Sequence, residues 1–575
     1  MKKSIAILLL ITMLLPLFAS CQTDPDDKGA IIPVYFAESF ENLDPTAAIY
    51  DKDFYQISGL VFEGLTSVEN GKIRNNLIQS WEKKYNEDRN EYFLTIKLDN
   101  TRWNDGRAFT ADQVVYAWKR ILSPEVDCPG AALLFDVKNA RAIKAGEKTI
   151  DELGAAAVSI RTLEVQLESP IDPELFLEAI SSPDLVPMRD DVVVGKEATW
   201  ATNVDDIATN GKFILKQMDP KGSFNYEFSK FYKLNSEMKN GYNEFVKPFR
   251  LISDFGKTSA DALAAFDNGE IYYFGAVTPE IYEERSKDIK SFDTISSYTY
   301  YFNCKNKILS DPKVRQALSE ALDRGQIAQL VGMGSKACEG FVPEKATGSS
   351  LGSSFRKEAG AVYSAAGDAD KAKSLLKEAG VSSGSIRLTY REDRSYEEAV
   401  AKYAKSVWDA LGFSVSLDAV SASSISEAIS SGKYDVIGLD YTGLSTNPYA
   451  FLAPFAPGYC GAVVSVDPED ELESLHPTGY ESKAYESLLD EVLAATERKA
   501  RNEKLIELEK LFATECPAAA LVTYKNNYLA SSELSGLSGS IYGYTEFTNA
   551  TLKDYKTKNE AYLEMEKAAE EAEEK

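Results

Sequence analysis

From residue 310 onward the sequence reads as helix and strand in alternation, and that alternation limits the fold more than any other feature. Ala369–Ala379 has helical spacing and stops at Gly380, as a helix C-terminus favours. Ile386–Tyr390 is a strand, Tyr396–Leu411 a helix closed by Gly412, and Phe413–Leu417 a strand. Val314–Leu322 is a short amphipathic helix, Ala484–Leu493 and Arg498–Phe512 are helices, and Ala518–Tyr524 is a strand. Strands interleaved with helices specify α/β units. A chain of 575 residues exceeds one compact core, so two to four folding units are expected. No repeat of roughly 20–50 residues is present, which argues against a solenoid.

The first half is richer in strands. Ile31–Phe36 reads as a strand, and Tyr92–Leu98 alternates with period two, the mark of a half-buried strand. Trp103-Asn104-Asp105-Gly106-Arg107 is a turn. Thr110-Ala111-Asp112-Gln113 is a capping box, and Val114, Val115, Trp118, Ile121 and Leu122 follow at helical spacing until Ser123-Pro124. Leu163–Leu167 is a strand, and residues 212–231 read as strands around Asp219-Pro220-Lys221-Gly222. Gly348–Ser354 and Ala456–Thr478 read as loops. Lys553–Lys575 is charged and helix-prone but lacks an apolar stripe, so a solvated tail or loose helix is expected.

The N-terminus reads as an export address. Met1-Lys2-Lys3 is cationic, and Ile5–Leu15 is an apolar run of 11 positions broken only by Thr12. A spanning helix needs about 20 apolar residues, so the run fits a signal peptide, here residues 1–20. Leu17-Phe18-Ala19-Ser20-Cys21 resembles a bacterial lipobox, in which the cysteine becomes the lipidated N-terminus. Residues 21–30 would then be a polar tether holding an exported body at a membrane of the cell envelope, on its periplasmic or surface face. Five further cysteines remain, Cys128, Cys304, Cys338, Cys460 and Cys516, none in a CxxC pair. The odd count leaves at least one unpaired within the chain; free thiols and one or two disulfides are both compatible with it.

Charge excludes one class of partner. With 63 basic and 89 acidic residues the net charge is −26, and a surface this acidic repels nucleic-acid phosphates. Catalytic motifs fail on context. Gly348-Ser349-Ser350-Leu351-Gly352 matches a nucleophile elbow, but no strong strand precedes it, and the sole histidine, His476, precedes Pro477 in a loop. Gly256-Lys257-Thr258 lacks the first glycine of a phosphate loop, because position 251 is Leu251. Ser236-Glu237-Met238-Lys239 has no supporting motif. No catalytic residue, metal ligand set or cofactor site is identified, and no enzyme activity is expected.

Two groups of residues are candidates for holding a ligand. Tyr298, Tyr300, Tyr301 and Phe302 cluster in an extended run. They are either core rings or rings exposed into a cleft, where they would cover ligand side chains without demanding one identity. Asp440 follows the apolar run Val436-Ile437-Gly438-Leu439 and precedes Tyr441. A carboxylate at a strand end can pair a ligand cation in partial dehydration, or it can be a cap or loop acid.

Six stretches, in order, resemble the bacterial extracellular solute-binding proteins of family 5, the oligopeptide-binding lipoproteins of ABC importers. Leu43-Asp44-Pro45 with Leu60–Leu65 comes first. Trp103–Gly106 with Phe109–Arg120 resembles the family signature. Thr209–Phe213 and Asn268–Ile271 follow. Tyr300–Asn303 with Asp311–Leu318 and Ala321–Arg324 is the fifth, and Pro517–Tyr524 the last. The resemblance implies an α/β fold of two lobes, like periplasmic binding proteins, with an additional third domain and crossing hinge strands. Residues 30–60, 197–298 and 519–549 would form lobe I, 61–196 the additional domain, 299–518 lobe II and 550–575 a charged tail. It also implies a monomer that captures short peptides and delivers them to the transmembrane subunits of an ABC permease. Asp440 would anchor the peptide amino group, with Tyr300, Tyr301 and Tyr441 lining side-chain pockets. In peptide-binding members the aspartate lies in an uninterrupted Asp-Tyr-Asn-x-Pro-x-x-Phe-Leu stretch; here Thr442–Thr446 separates Asp440-Tyr441 from Asn447–Leu452. A nickel chelate, haem or sugar cargo, or a surface adhesin role, is the alternative.

Overall fold

The computed structural model describes residues 28–47, 52–126, 128–233, 245–459 and 478–573. Cys21, the signal and tether up to residue 27, Ser236–Lys239, Cys460 and His476 lie outside the described residues.

One sheet runs through both lobes. Its strands lie in the order Phe413–Val420, Gly384–Arg391, Val436–Thr442, Lys290–Phe302, Ala518–Ala530, Tyr273–Phe274, Ile31–Tyr35, Arg250–Asp254, Ser223–Phe228 and Phe213–Met218. At its centre Lys290–Phe302 and Ala518–Ala530, each 13 residues long, pair antiparallel. Lys290–Asp293 pairs with Lys525–Tyr528 and Ser297–Tyr301 with Ala518–Thr523, with a register shift between Asp293 and Ser297. A bulge bends and twists a strand; here it carries the same two strands from one lobe into the other. The expected strand at Ala518–Tyr524 is thus the first half of a longer one.

On either side of this pair lies a set of three parallel strands, and beyond one set Ser223–Phe228 and Phe213–Met218 continue the sheet antiparallel. Gly384–Arg391 pairs in parallel with Phe413–Val420 and with Val436–Thr442, and Ile31–Tyr35 with Arg250–Asp254 and Tyr273–Phe274. The helix Ser395–Ala410 makes the crossover between the first two, as the alternation predicts. The third unit has its own antiparallel sheet, in the order Ile78–Asn86, Glu91–Leu98, Thr162–Leu167, Ala155–Ser159. The helix Ala111–Leu122 packs on it with the predicted capping box, Gln113 Oε1 accepting from the Thr110 amide at 2.8 Å.

The motifs that carry the resemblance interlock around buried polar groups. Asp44 accepts from both guanidinium nitrogens of Arg120, at 3.1 and 2.7 Å, and from Trp200 Nε1 at 2.9 Å. Burial alone would raise the Asp44 carboxyl, but the Arg120 and Trp200 bonds hold it below the usual carboxylate range. Asn104 bonds the backbone of Ile207 and Thr209, and Asn210 bonds Glu63. Arg315 donates to the carbonyls of Leu309 and Cys516, and Arg324 to that of Ala520, which ties two helices to the second crossing strand.

The C-terminal segment differs from expectation. Tyr555–Glu573 is one helix, and it is docked: Asn559 donates to the Gly29 carbonyl at 2.9 Å and accepts from the Ile31 amide at 2.8 Å. Arg250 and Glu566 add an ion pair at 3.3 Å. Polar bonds hold this helix where an apolar stripe would otherwise be needed. Among the cysteines, Cys304, Cys338 and Cys516 are free thiols, raised by burial to about 11, 12 and 12, and Cys128 is buried.

Removing one partner of a buried ion pair costs about 3–5 kcal/mol because the other charge stays buried. Asp44→Ala is therefore expected to lower the thermal midpoint strongly and Arg120→Lys less so, as read by calorimetry; equal midpoints for Asp44→Ala and wild type would refute the role given to this pair.

Candidate binding cleft

In open α/β sheets ligands bind outside the carboxyl ends of the strands. The carboxyl ends of the two parallel sets face each other here. Arg391, ending one strand of lobe II, lies 3.7 Å from Glu38 just beyond Ile31–Tyr35. The lobes therefore meet across this mouth.

Asp440 sits at it, on Val436–Thr442, opposite Tyr298 in register. Its side chain is 18% exposed. Tyr524 Oη donates to Asp440 Oδ1 at 2.7 Å, and Arg394 donates to Oδ2. Arg394 also reaches Glu397 at 3.4 Å, Tyr298 donates to Glu397 at 3.3 Å, and the Tyr396 and Tyr524 hydroxyls are 3.3 Å apart. Burial would lower the Arg394 guanidinium, but Asp440 and its neighbours hold it well above its ordinary value. The carboxylate is thus held by the guanidinium of Arg394 and by the phenol of Tyr524 on the second crossing strand.

The three predicted tyrosines lie elsewhere. Tyr300 is fully buried against Trp408, with its ring 5.9 Å away, in the core under the helices of lobe II. Tyr301 is buried and stacks on Phe455 with ring centroids 6.1 Å apart. Tyr441 donates to the Phe451 carbonyl at 3.0 Å inside the same aromatic cluster. The expectation that these rings line water-filled pockets is corrected: strand alternation points Tyr301 and Tyr441 into one core and Tyr300 into the other. Arg394, Glu397 and Tyr524 were missed. Tyr524 falls in the last of the resembling stretches; Arg394 and Glu397 have no motif, and only the crossover after Gly384–Arg391 brings them to Asp440.

A cavity of about 960 Å³ opens where the three units meet. Lobe I contributes Lys212 and Tyr544, the third unit Asn76 and Ser182, and lobe II Thr347 and Thr446. Lys212 lies 3.1 Å from Glu63 and 3.3 Å from Glu546. Burial opposes its charge, yet Glu546 and Glu63 raise it well above its ordinary value. Asp440 is not in the cavity wall. The residues between it and Thr446 connect the two places, and they explain the interrupted motif: Ser445 Oγ donates to the Glu178 carbonyl at 3.1 Å and Thr446 Oγ1 to Glu178 Oε1 at 2.6 Å. Arg498 completes the Glu178 pair at 2.6 Å, and Arg501 makes two bonds to Asp136 at 2.8 and 3.0 Å. These buried bonds join the third unit to lobe II.

The model of the bacterial extracellular solute-binding proteins, family 5 (middle region), matches residues 72–461, and the chain belongs to that family. The oligopeptide-binding protein OppA of Bacillus subtilis (strain 168) is 26% identical over 510 residues, covering 86% of this chain and 87% of the relative. The periplasmic murein peptide-binding protein MppA of Escherichia coli (strain K12) is 26% identical over 509 residues, covering 86% and 88%. The structure of Listeria monocytogenes OppA bound to peptide shares the fold, with a TM-score of 0.74 at 20% identity over 92% of this chain and 100% of that one. No helix among the described residues is long and apolar enough to cross a membrane.

Glu397 makes the mouth sensitive to pH. Burial pushes its carboxyl from the ordinary 4.5 to about 7. Between those values the native chain holds a proton that the unfolded chain has released, so stability falls as pH rises from about 5 through 7. Asp184, also raised by burial to about 7, acts in the same direction. The thermal midpoint is expected to be higher at pH 6 than at pH 8, and Glu397→Gln to raise the pH 8 value and flatten the profile; an unaltered profile in that variant would place the titration elsewhere.

Proposed function

We propose that this chain is the substrate-binding lipoprotein of an ABC importer, capturing short peptides between its lobes and delivering them to the permease subunits. The observation that carries the reading is the Asp440 carboxylate at the mouth of the cleft, prepared by Arg394 and Tyr524. A peptide α-ammonium is a compact cation that can take the place of one Arg394 donor while Tyr524 keeps the carboxylate oriented. The printed names of the relatives, oligopeptide-binding and murein peptide-binding, support peptides as the cargo class. The remaining length of ligand lies toward the polar cavity, where strand edges and water can serve its backbone without selecting sequence. A cavity of this size is at the upper end of ligand pockets, about 300–1,000 Å³. Micromolar binding requires about 8 kcal/mol net, within reach of one charged pair and several backbone bonds.

In this reading residues 30–60, 197–298 and 519–549 form lobe I, 61–196 the additional domain, 299–518 lobe II and 550–575 the charged tail, and the chain acts as a monomer. The register shift between Asp293 and Ser297 supports a bend a few residues before position 298. Cys21 would carry the lipid, with residues 21–30 as tether. The clasp of Asn559 on Gly29 and Ile31 supports a body whose entry point is held firmly.

Calorimetry with peptides of two to nine residues and their N-acetylated forms tests this reading. Acetylation is expected to weaken binding to the native protein at least 10-fold, from the roughly 1.5–3 kcal/mol that a hydrogen bond to a charged group contributes. Asp440→Asn should weaken the free-amine peptides by as much and leave the acetylated ones unchanged. Equal affinity for both forms in the native chain would refute the anchor.

A further inference from the structure

Two turns meet across the cavity, and both of their tips line it. One belongs to the third unit: Thr66–Glu69 and Lys72–Asn75 pair as a hairpin through Asn70 and Gly71, with φ of 51° and 69°. Two positive φ angles in a two-residue loop define the stiff turn that Asn-Gly favours. The other tip is the Gly348–Gly352 stretch of lobe II, the one whose glycine-serine pattern matches a nucleophile elbow without its context.

The second tip is stiff as well. Glu358 accepts from the Ser349 amide at 2.9 Å and from its hydroxyl at 3.1 Å, and is itself held by Asn502 at 2.8 Å. The Gly348 amide bonds the Ser353 carbonyl at 3.1 Å, closing the turn. The Ser349 hydroxyl and the Ser350 backbone, the latter bonded through its amide and carbonyl to Ser353 Oγ, thus hold the loop in shape.

The two tips touch backbone to backbone. A Cβ placed on Gly71 would lie 2.4 Å from Gly352 Cα and 2.8 Å from its nitrogen. A Cβ on Gly352 would meet nothing nearer than 3.7 Å. The contact is therefore close and one-sided, and it spans units that the fold otherwise joins through the Glu178 and Asp136 ion pairs.

We infer that the Gly71–Gly352 contact is an end wall that limits the length of the ligand the cavity admits. This rests on the peptide reading above and deepens it. A ligand anchored at the cleft mouth and extended into the cavity runs between lobe II and its neighbours. One that fits inside leaves the tips in contact; one that is longer must hold them apart, with loss of that contact and strain on the ion pairs behind it. Both tips are braced, so they resist as a wall rather than yield as a flexible loop.

The test is a calorimetric series of peptides of increasing length, two to nine residues, on the native chain, Gly71→Ala and Gly269→Ala. Gly71→Ala pushes the tips apart. Gly269→Ala adds a methyl at a φ of 77° with nothing within 4 Å and outside the cavity lining, so it reports backbone strain alone. The native chain is expected to show a length beyond which affinity drops at least 10-fold. Gly71→Ala should carry that limit to longer peptides or cut the drop to less than 3-fold, while Gly269→Ala keeps it. Thermal unfolding of each variant confirms that it is folded, and insertion of one further glycine after Gly71, which lengthens the same tip, serves if Gly71→Ala is not. Absence of a length limit in the native chain, or a limit that Gly71→Ala leaves in place, overturns the wall while peptide binding stands. No binding at any length overturns the peptide reading, and the wall with it.

Discussion

Everything in this molecule hangs on the backbone ladder between Lys290–Phe302 and Ala518–Ala530. Because both strands run through both lobes, the two lobes remain one hydrogen-bonded structure. The irregular register between Asp293 and Ser297 concentrates the bend in a few residues. Asp293 at that bend is surrounded by Lys336, Lys345 and Lys525, at 3.4, 3.1 and 3.6 Å. Three cations on one carboxylate offset its burial, and they hold its carboxyl below the usual range. The hinge is thus an electrostatic cluster laid over a ladder.

Buried charge recurs at the other junctions. Asp44 with Arg120, Glu178 with Arg498 and Asp136 with Arg501 all lie between segments distant in the chain. Such pairs add little net stability compared with apolar packing, but each fixes geometry, because a misplaced partner leaves an ion without solvent. Where three units share one cavity, that directional demand fixes how their walls are placed. The apolar clusters supply cohesion: the largest extends continuously from the third unit into the helices Lys483–Ala494 and Arg498–Glu515 of lobe II.

The cleft follows from the same arrangement. Parallel strands present their carboxyl ends toward the opposite lobe, so polar side chains just beyond them converge. Asp440, Arg394 and Glu397 form a coupled group, in which one cation faces two carboxylates and the more buried of the three groups, Glu397, is shifted toward neutrality. A second cation arriving from a ligand would relieve that imbalance. The polar cavity beyond is lined by all three units, so its shape depends on how they close.

The family, the α/β class, the capped helix Ala111–Leu122 and most of the strands were legible in the residues, because they depend on local periodicity, capping and turn chemistry. So was Asp440 as a carboxylate at a strand end. The face of each strand was not: Tyr300 and Tyr301 are neighbours in sequence, yet they enter different cores, and neither borders the cleft. Nor was the docking of Tyr555–Glu573, since a helix held by Asn559 and Glu566 needs no apolar stripe. The interruption at Thr442–Thr446 read as a gap in a motif until Ser445 and Thr446 were found on Glu178. Local sequence determines where the chain turns, coils and extends. Which groups share a cleft, a core or a junction is decided only by tertiary structure, because burial and charge pairing depend on residues hundreds of positions away.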